Sequence, residues 1–483
     1  MRVPTARARG VPMSSSNDGA PEGAASHQGV ERELGWAAKP GTELLRLSWP
    51  IAVSMISYAV MTVADTLFVG HIGPAAIAGV GLGGVTAFTV ICFVIGLLRG
   101  TKVLVSQAVG AGRPEDAARH SGAGVVLGVS LGVLFGALGV AVAELLPAIA
   151  ATSESGEAAR VYLVVRMVGT PIVMAYVALR EVRYGLGDSR TPMVASVTGN
   201  LVNVGLDALF VLGLEWGVAG AGWATVIGQS VELGVLVGLG GGRPFAKPRA
   251  TELRALWRMG VPTGAQFFLE VGAFALLAAL LAALDEAQMA GHQIALQVLH
   301  FGFLPVFAVG EAASVLVGQA VGAARDSLVS VVARAATKVG LAYASFCALV
   351  LVFGGRTIVR AFTDDPHLIE VASTLLLVAA AFQIFDALNM VARSVLRGTG
   401  DVRWPAVVGV ATAWISTPPL TWLLGYVAGL GALGGWIGLC VEVVVGAALL
   451  WHRLLRGDWK RAAEAARRAS VAEEAARISL VPA

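Results

Sequence analysis

The chain contains two copies of one sequence pattern. Residues Val105–Gly112 read Val-Ser-Gln-Ala-Val-Gly-Ala-Gly, and Val317–Ala324 repeat them as Val-Gly-Gln-Ala-Val-Gly-Ala-Ala, 212 positions later. A second pair of segments, Gly187–Pro192 and Gly400–Pro405, recurs 213 positions apart. Nearly everything between these anchors is apolar. An internally duplicated, apolar chain predicts two related membrane bundles that face each other across a cavity.

The composition excludes most soluble and catalytic classes. Hydrophobic residues make up 56% of the chain and charged residues 14%, whereas soluble domains carry about 25% charged residues. The net charge of +3 is small, and the basic residues lie in short loops, so no nucleic-acid partner is expected. No nucleotide-binding, zinc-protease or serine-hydrolase motif occurs. We therefore predict neither an enzyme nor a resident cofactor.

Twelve apolar segments are each long enough to cross the roughly 30 Å of bilayer hydrocarbon as a helix. They are too long, and lack the alternation, for the strands of a β-barrel. The sequence thus predicts an all-α integral membrane protein with twelve transmembrane helices in two pseudo-symmetric six-helix bundles. The predicted spans are 45–69, 77–99, 121–147, 161–182, 192–214, 218–241, 261–284, 289–318, 338–360, 368–392, 404–427 and 432–455.

The same pattern divides the chain into five parts. They are a disordered tail over 1–40, a six-helix lobe over 41–242, a connector over 243–260, a second lobe over 261–456 and a tail over 457–483. Lys and Arg concentrate in alternate loops, so the positive-inside rule places both tails and the connector in the cytoplasm. Six spans per lobe make the two lobes parallel repeats.

Polar residues inside the spans of the first lobe form a candidate site. Asp65 lies in span 1, Asn203 and Asp207 lie one helical turn apart in span 5, and Thr225 lies in span 6. A charged group costs about 3 kcal/mol at the centre of a span, so each acid calls for an explanation. All four residues fall in the outer half of the lobe. Their oxygens suit a hard cation or a shared proton. Unrelated polar bonds between helices are the alternative.

The second lobe carries its acids at a different depth. Glu270 in span 7 and Asp386 in span 10 lie towards the inner half, and Gln383, Asp386 and Asn389 recur every third residue as a polar stripe. The positions that correspond to Asp65 and Asp207 are apolar in this lobe, so the lobes share a fold but not a site. Three further acids lie deep in spans without an assigned role: Glu232, Glu311 and Glu442.

Aromatic residues accompany these acids. Buried carboxylates give a negative potential, and aromatic rings bind cations through their faces, so together they suit bulky lipophilic cations. We predict a substrate cavity that contains Gln383, Asn389 and the aromatic residues Tyr58, Phe68, Phe267, Phe268 and Trp414.

Two GxGD sequences need a separate explanation. Gly185–Asp188 and Gly398–Asp401 match the motif of intramembrane aspartyl proteases. Both are predicted at the membrane edge, shortly before Pro192 and Pro405. Glycine-rich turns that precede a proline-started helix explain them better than catalysis does.

Taken together, these residues resemble the multidrug and toxic compound extrusion (MATE) family, and within it the bacterial NorM/DinF type. The resemblance covers roughly residues 41–456. It is carried by Trp49-Pro50, Val63–Thr66, Val69-Gly70, Val105–Gly112, Gly185–Pro192, Asn203–Asp207, Gly217–Thr225, Phe267–Val271, His292-Gln293, Asp386 and Arg397–Asp401.

The resemblance implies a transporter that exports organic, often cationic, compounds in exchange for inward Na⁺ or H⁺. The positions that match the family's N-terminal cation site are Asp65, Asn203, Asp207 and Thr225. Glu270 and Asp386 match acidic positions implicated in coupling in the C-terminal lobe. We expect a functional monomer in the cell (inner) membrane, in contact with lipid and small organic cations and with no nucleotide.

A related lipid or oligosaccharide flippase is the alternative. Such proteins tend to carry basic residues in the cavity that hold anionic headgroups. Here almost no Lys or Arg is predicted at mid-membrane depth, since Lys102 is assigned to the loop after span 2. The sequence therefore favours the drug exporter.

Cysteine labelling tests the predicted topology. After the native cysteines are replaced, a cysteine at Pro74 or Gly429 should react with an impermeant maleimide from outside the cell. One at Gly187 should react only from inside, because the positive-inside rule places that loop in the cytoplasm. The reverse pattern would contradict the assigned orientation.

Overall fold

The computed structural model describes residues 32–240 and 245–468, and these are helical almost throughout. The first lobe contains eight α-helices and one π-helical segment. They are α1 Pro40–Gly70, α2 Pro74–Gly110, α3 Pro114–Ala143, α4 Leu146–Ile149, α5 Ser153–Val168, α6 Thr170–Gly185, α7 Arg190–Asp207, the π segment Ala208–Gly213 and α8 Gly217–Leu239.

The second lobe repeats this order with six α-helices and a second π-helical segment. They are α9 Ala250–Ala282, α10 Glu286–Gly322, α11 Asp326–Arg360, α12 Pro366–Gly398, α13 Arg403–Leu420, the π segment Thr421–Val427 and α14 Ala432–Arg456. The two π segments begin 213 positions apart, the same offset as the repeated sequence segments. The duplication therefore extends to an unusual local feature of the backbone.

Eleven helices, with each π segment counted in the helix before it, are long and apolar enough to cross a membrane. The helices α5 and α6 bend by 53° at their junction, and as one broken span they bring the number to twelve. The predicted all-helical membrane fold is confirmed.

The bend between α5 and α6 is the clearest difference between the lobes. The corresponding helix of the second lobe, α12, runs without a break. Pro171 lies in the first turn of α6, lacks a backbone N–H and so cannot continue the hydrogen-bond ladder of α5. Gly169 at the junction packs on Val226 of α8, where an added Cβ would lie 2.7 Å from a methyl carbon. The break brings the end of α5 close to α8.

The lobes meet where α2 packs on α9, where α1 packs on α10, and where α2 and α10 cross at the two copies of the repeated motif. A Cβ on Gly110 would lie 2.0 Å from the carbonyl oxygen of Gln319, and a Cβ on Gly322 would lie 2.0 Å from that of Gln107. The Gln107 side chain also donates to the carbonyl of Gly398 in the other lobe, at 3.2 Å. We call this crossing the seam. It explains the motif, because only glycine permits so close an approach.

The seam lies at one end of the molecule, which we call the terminal face, where α1 and α9 begin and α2, α10 and α12 end. The N-terminal segment covers it from the first lobe: Trp36 Nε1 donates to Gln319 Oε1 at 2.8 Å, and Arg32 N donates to the Ala323 carbonyl at 3.2 Å. Residues 460–468 form a short helix on the same face. Trp459 before it is only 5% exposed and packs into the core beside the seam, so this helix is docked on the protein.

Two element boundaries differ from the predicted ones. The helix α9 begins at Ala250, so the second half of the predicted connector 243–260 is helical. The cause is local: the backbone N–H of Arg249 donates to the Glu252 carboxylate at 2.8 Å, which caps the first turn. The helix α2 continues to Gly110, 11 residues past the predicted end of span 2.

A glycine substitution tests the packing of the seam. Gly110→Ala should lower the apparent stability by about 1–3 kcal/mol, the usual cost of overpacking, because its Cβ meets backbone that cannot rotate away. Gly84→Ala on the same helix is the control, since nothing lies within 4 Å of its added Cβ. Thermal unfolding in detergent measures both. Equal midpoints for the two variants would show that the seam tolerates the extra atom.

Candidate functional site

Three helices of the first lobe bring the predicted polar residues into one buried site. Asp65 lies on α1, and Asn203 and Asp207 lie one turn apart on α7. Asp65 is 9% exposed, Asn203 1% and Asp207 0%. Asn203 packs against Gly228 of α8, where an added Cβ would lie 2.8 Å from the Asn203 Cβ. The π segment begins directly after Asp207, and π-helical turns are frequent at functional sites.

The polar atoms of this site lack partners. Both carboxylate oxygens of Asp207, Oδ1 of Asp65 and both side-chain polar atoms of Asn203 have no hydrogen bond within the described part of the chain. The two carboxyl groups lie close enough to interact electrostatically. Buried polar groups are normally hydrogen-bonded. This oxygen-rich set therefore has the chemistry to hold a proton or a hard monovalent cation such as Na⁺.

Thr225 lies at the edge of the site. Its hydroxyl donates to the Ala221 carbonyl of its own helix at 3.0 Å and is 2% exposed. It is beside Tyr162 of α5, which in turn interacts electrostatically with Asp65. Asp65, Asn203 and Asp207 are thus placed by α1 and α7, whereas Thr225 of α8 is connected to Asp65 through Tyr162 of α5.

Arg166 is a site residue that the sequence analysis did not identify. It lies on α5, two residues before the end of the helix, and interacts electrostatically with Asp65 and Tyr58. Its Nη1 is buried without a hydrogen-bond partner. A continuous span gives no reason to place Arg166 beside Asp65. The apolar pattern does not show the break after α5, and Gly169 and Pro171 are the sequence signal that could have indicated it.

Two acids of the second lobe, Glu270 and Glu442, already have hydrogen-bond partners. Arg393 Nη1 donates to Glu270 at 3.0 Å, and Gln266 Nε2 donates to the same carboxylate at 2.8 Å. Asp386 lies within electrostatic range of Glu270 and Arg393. Glu442 accepts a 2.5 Å hydrogen bond from the Thr417 hydroxyl. The structure thus brings the predicted pair Glu270 and Asp386 together, but with an arginine beside them.

The residues predicted for the substrate cavity divide into two groups. Tyr58, Phe268 and Trp414 are 47%, 47% and 40% exposed, respectively. Phe267 lies where the lobes meet, with the Arg99 guanidinium 5.1 Å from the centre of its ring. Three of these aromatic side chains are therefore exposed on the surface of the protein, and the fourth, Phe267, lies at the junction between the lobes.

The other three predicted cavity residues pack inside their own lobes. Phe68 packs against the apolar cluster around Val69 and Tyr162. Gln383 packs on Gly302 and is 3% exposed, as is Asn389, whose Nδ2 donates to the Val443 carbonyl at 3.3 Å. In this conformation two residues of the polar stripe of α12, Gln383 and Asn389, contact the neighbouring helices α10 and α14.

The two aspartates of the GxGD sequences have structural partners. Gly187 and Gly400 lie in the turns before α7 and α13, with φ angles of 78° and 90°. Asp188 Oδ1 accepts from the backbone of Thr191 at 3.1 Å, and Asp401 accepts from Arg453 Nε at 2.5 Å. The predicted role of these sequences as turns is confirmed.

A buried group of charges joins the lobes and corrects one assignment. Lys102 lies within α2, not in a loop, and is 3% exposed. Its ammonium contacts the carboxylate of Glu311 in α10 and lies 3.8 Å from that of Glu181 in α6. Arg99 Nη1 lies 3.7 Å from Glu311. Glu181 is itself only 1% exposed. Arg99 and Glu311 occupy equivalent positions of the repeat, 212 residues apart.

Comparison with known proteins establishes the class of this fold and site. The MatE family model matches residues 50–209 and again residues 262–423, one copy in each lobe. The chain therefore belongs to the MATE family of multidrug efflux transporters.

Two bacterial relatives illustrate the match. The chain is 29% identical over 444 residues to the probable multidrug resistance protein NorM of Pseudomonas syringae pv. tomato, across 87% of this chain and 95% of the relative. It is 31% identical over 443 residues to the protein of the same name from Rhodopseudomonas palustris, across 86% and 92%.

Solved structures share the fold. An outward-facing multidrug resistance MATE transporter of the MOP superfamily superimposes with a TM-score of 0.82 at 21% identity, over 89% of this chain and all of that one. A MOP superfamily transporter from Pyrococcus furiosus, described as having a binding pocket of reverse polarity that suggests a different function, gives 0.80 at 21% identity, with the same coverage.

A double-mutant cycle tests the buried pair between the lobes. Lys102→Met or Glu311→Gln alone should cost up to about 3–5 kcal/mol of apparent stability, because each removes the nearest partner of a buried charge. The double variant should lose less than the sum of the two. Arg46→Gln, which breaks a largely exposed pair with Glu43, should cost less than about 1 kcal/mol. Additive losses in the double variant would show that the pair is not coupled.

Proposed function

We propose that this chain exports lipophilic organic cations and couples their export to inward flow of one monovalent cation, Na⁺ or H⁺, through the site of the first lobe. The observation that supports this proposal is the group of buried, unpartnered atoms on Asp65, Asn203 and Asp207. A dry pair of carboxyl groups needs a proton or a cation between them. No comparable group of unpartnered carboxylates occurs among the described residues of the second lobe.

The charge of the site agrees with a single coupling ion. Asp65 and Asp207 carry two negative charges when both are ionised, and Arg166 supplies one positive charge nearby. The remainder is one negative charge, which one Na⁺ or one proton neutralises. In the second lobe the Glu270 carboxylate is paired with Arg393, so it is a weaker acceptor for a free cation.

The coupling follows from differential affinity for two packings of the helices. A cation between α1 and α7 would favour the packing in which Asp65 and Asp207 approach each other. Bound substrate would favour the alternative packing, so that each ligand weakens binding of the other. The π segment after Asp207 offers a place where α7 can change its register at low cost.

The proposal includes the orientation of the chain in the membrane. The positive-inside rule places the terminal face in the cytoplasm. The contacts between α2 and the second lobe run from Phe88, near the middle of α2, to Gly110 at its end. With that orientation the lobes are closed on the cytoplasmic side, and the cation site lies in the outer half. We propose a monomer in the cell membrane.

Buried basic residues do occur in the structure, and basic residues in the cavity are the feature expected of a lipid or oligosaccharide flippase. Arg99, Lys102, Arg393 and Arg397 all lie within helices near the junction of the lobes. Lys102 and Arg393 are paired with glutamates, which offsets their charge. We therefore keep the organic cation as the proposed substrate. Transport of a lipid-linked sugar, in place of a cationic dye, by vesicles would favour the alternative.

Efflux measurements test the coupling site. Asp65→Asn keeps the shape and one oxygen but removes the charge, so gradient-driven dye efflux from vesicles should fall at least about tenfold. Asp207→Asn and Asn203→Ala should act similarly, and Thr225→Ala more mildly. Glu144→Gln, an exposed acid of the same lobe, is the control.

The imposed gradient identifies the ion. Efflux driven by a Na⁺ gradient alone would name Na⁺, and efflux driven by a pH gradient alone would name H⁺. Near-normal efflux by Asp65→Asn would instead assign coupling to Glu270 and Asp386.

A further inference from the structure

A cavity of about 800 Å³ opens on the terminal face, directly over the seam. Both lobes line it. Gly112 and His120 come from the α2–α3 region of the first lobe, and Arg258 and Arg403 come from α9 and α13 of the second. The helix 460–468 closes one side with Arg467. The volume falls within the range of small-molecule sites, about 300–1,000 Å³.

The cavity carries surplus positive charge. Five arginines and two acids line it: Arg32, Arg113, Arg258, Arg403, Arg467, Asp116 and Asp401. Asp401 is paired with Arg453, and Arg467 is paired with Asp326, at 2.5 and 2.7 Å. Arg32, Arg258 and Arg403 form no ion pair with any residue in 32–240 or 245–468. Three guanidinium groups are thus available for an anion.

A buried imidazole provides an independent indication of a ligand. His120 is only 8% exposed, lines the cavity, and has no hydrogen-bond partner for its Nδ1 among the described residues. A buried polar atom without a partner is costly. Because Nδ1 has almost no accessible surface here, a ligand oxygen would supply this hydrogen bond after a rotation of the imidazole ring. The first turn of α13, which begins at Arg403, also has no side-chain cap.

We propose that this cavity binds a phosphate group between the two lobes. The planar fork of arginine matches phosphate oxygens in a bidentate manner, and phosphate accepts several hydrogen bonds at once. The phosphate belongs to an anionic lipid headgroup or to a small soluble compound. Since the ligand would contact both lobes, it would stabilise the closed seam over the open one. This site is separate from the cation site and does not depend on which ion drives transport.

Binding to the purified full-length protein in detergent tests the proposal. The probes are dioctanoyl phosphatidylglycerol and inorganic pyrophosphate, with dioctanoyl phosphatidylcholine and chloride as controls at equal ionic strength. At least one phosphate probe should raise the thermal midpoint. A response to phosphatidylglycerol alone identifies a lipid headgroup, and a response to pyrophosphate alone identifies a soluble ligand. No response to either probe overturns the proposal.

Variants on both lobes locate the site. Arg258→Gln and Arg403→Gln should each weaken binding by about tenfold, the usual loss for a charged hydrogen bond. Arg254→Gln, one turn from Arg258 on α9 but outside the cavity, should bind as wild type. On the first-lobe side, His120→Gln should weaken binding, and Arg32→Gln is the second variant because it leaves the core untouched. Wild-type affinity in both arginine variants of the second lobe, or an equal loss in Arg254→Gln, would refute the site.

Discussion

The arrangement of the two lobes depends on the packing of α2 against the second lobe, which includes its crossing with α10. Gly110 and Gly322 let each helix press against the other's backbone, and Lys102 and Glu311 form an ion pair between the same two helices, further from the terminal face. Backbone contact without side chains gives close packing, and a buried ion pair adds a strong preference for one partner. Lys102 also lies near a second carboxylate, that of Glu181, in its own lobe. If the two lobes move apart, Lys102 therefore keeps a partner after it leaves Glu311.

The lobes have one architecture and two kinds of polar interior. In the second lobe Glu270 is paired with Arg393, and Glu442 accepts a hydrogen bond from Thr417. In the first lobe the facing pair Asp65 and Asp207 has no such partner, and the nearest cation is Arg166. That arginine comes from the helix that breaks before Pro171, at a position where the second lobe has a continuous helix. A local break in one copy of the repeat thus places the positive charge of Arg166 beside Asp65, and the second lobe has no such break.

Much of the first-lobe site could be predicted because helical periodicity is regular over short distances. The spacing of Asn203 and Asp207 puts both on one face, and the depth of Asp65 follows from counting residues along its span. Lys102 was misplaced because Arg99 and Lys102 end the apolar run, whereas the helix continues to Gly110 and pairs both charges with Glu311. A signal for its surroundings was present: Arg99 and Glu311 occupy equivalent positions of the repeat with opposite charges. Two residues at equivalent positions contact each other when both lie near the axis that relates the lobes, as Arg99 and Glu311 do.

The sequence by itself determined the class of fold, the number of spans and the duplication, because these follow from hydrophobicity and length and need no knowledge of distant contacts. It also predicted that Asp65, Asn203 and Asp207 lie at a similar depth inside the first lobe. Only the tertiary structure decided which acids keep a free carboxylate, since pairing depends on side chains that are far apart in the chain. Arg393 lies 123 residues from Glu270, and Lys102 lies 209 residues from Glu311. Local periodicity specifies the face of a helix, but only the packing of the helices specifies which other face it meets.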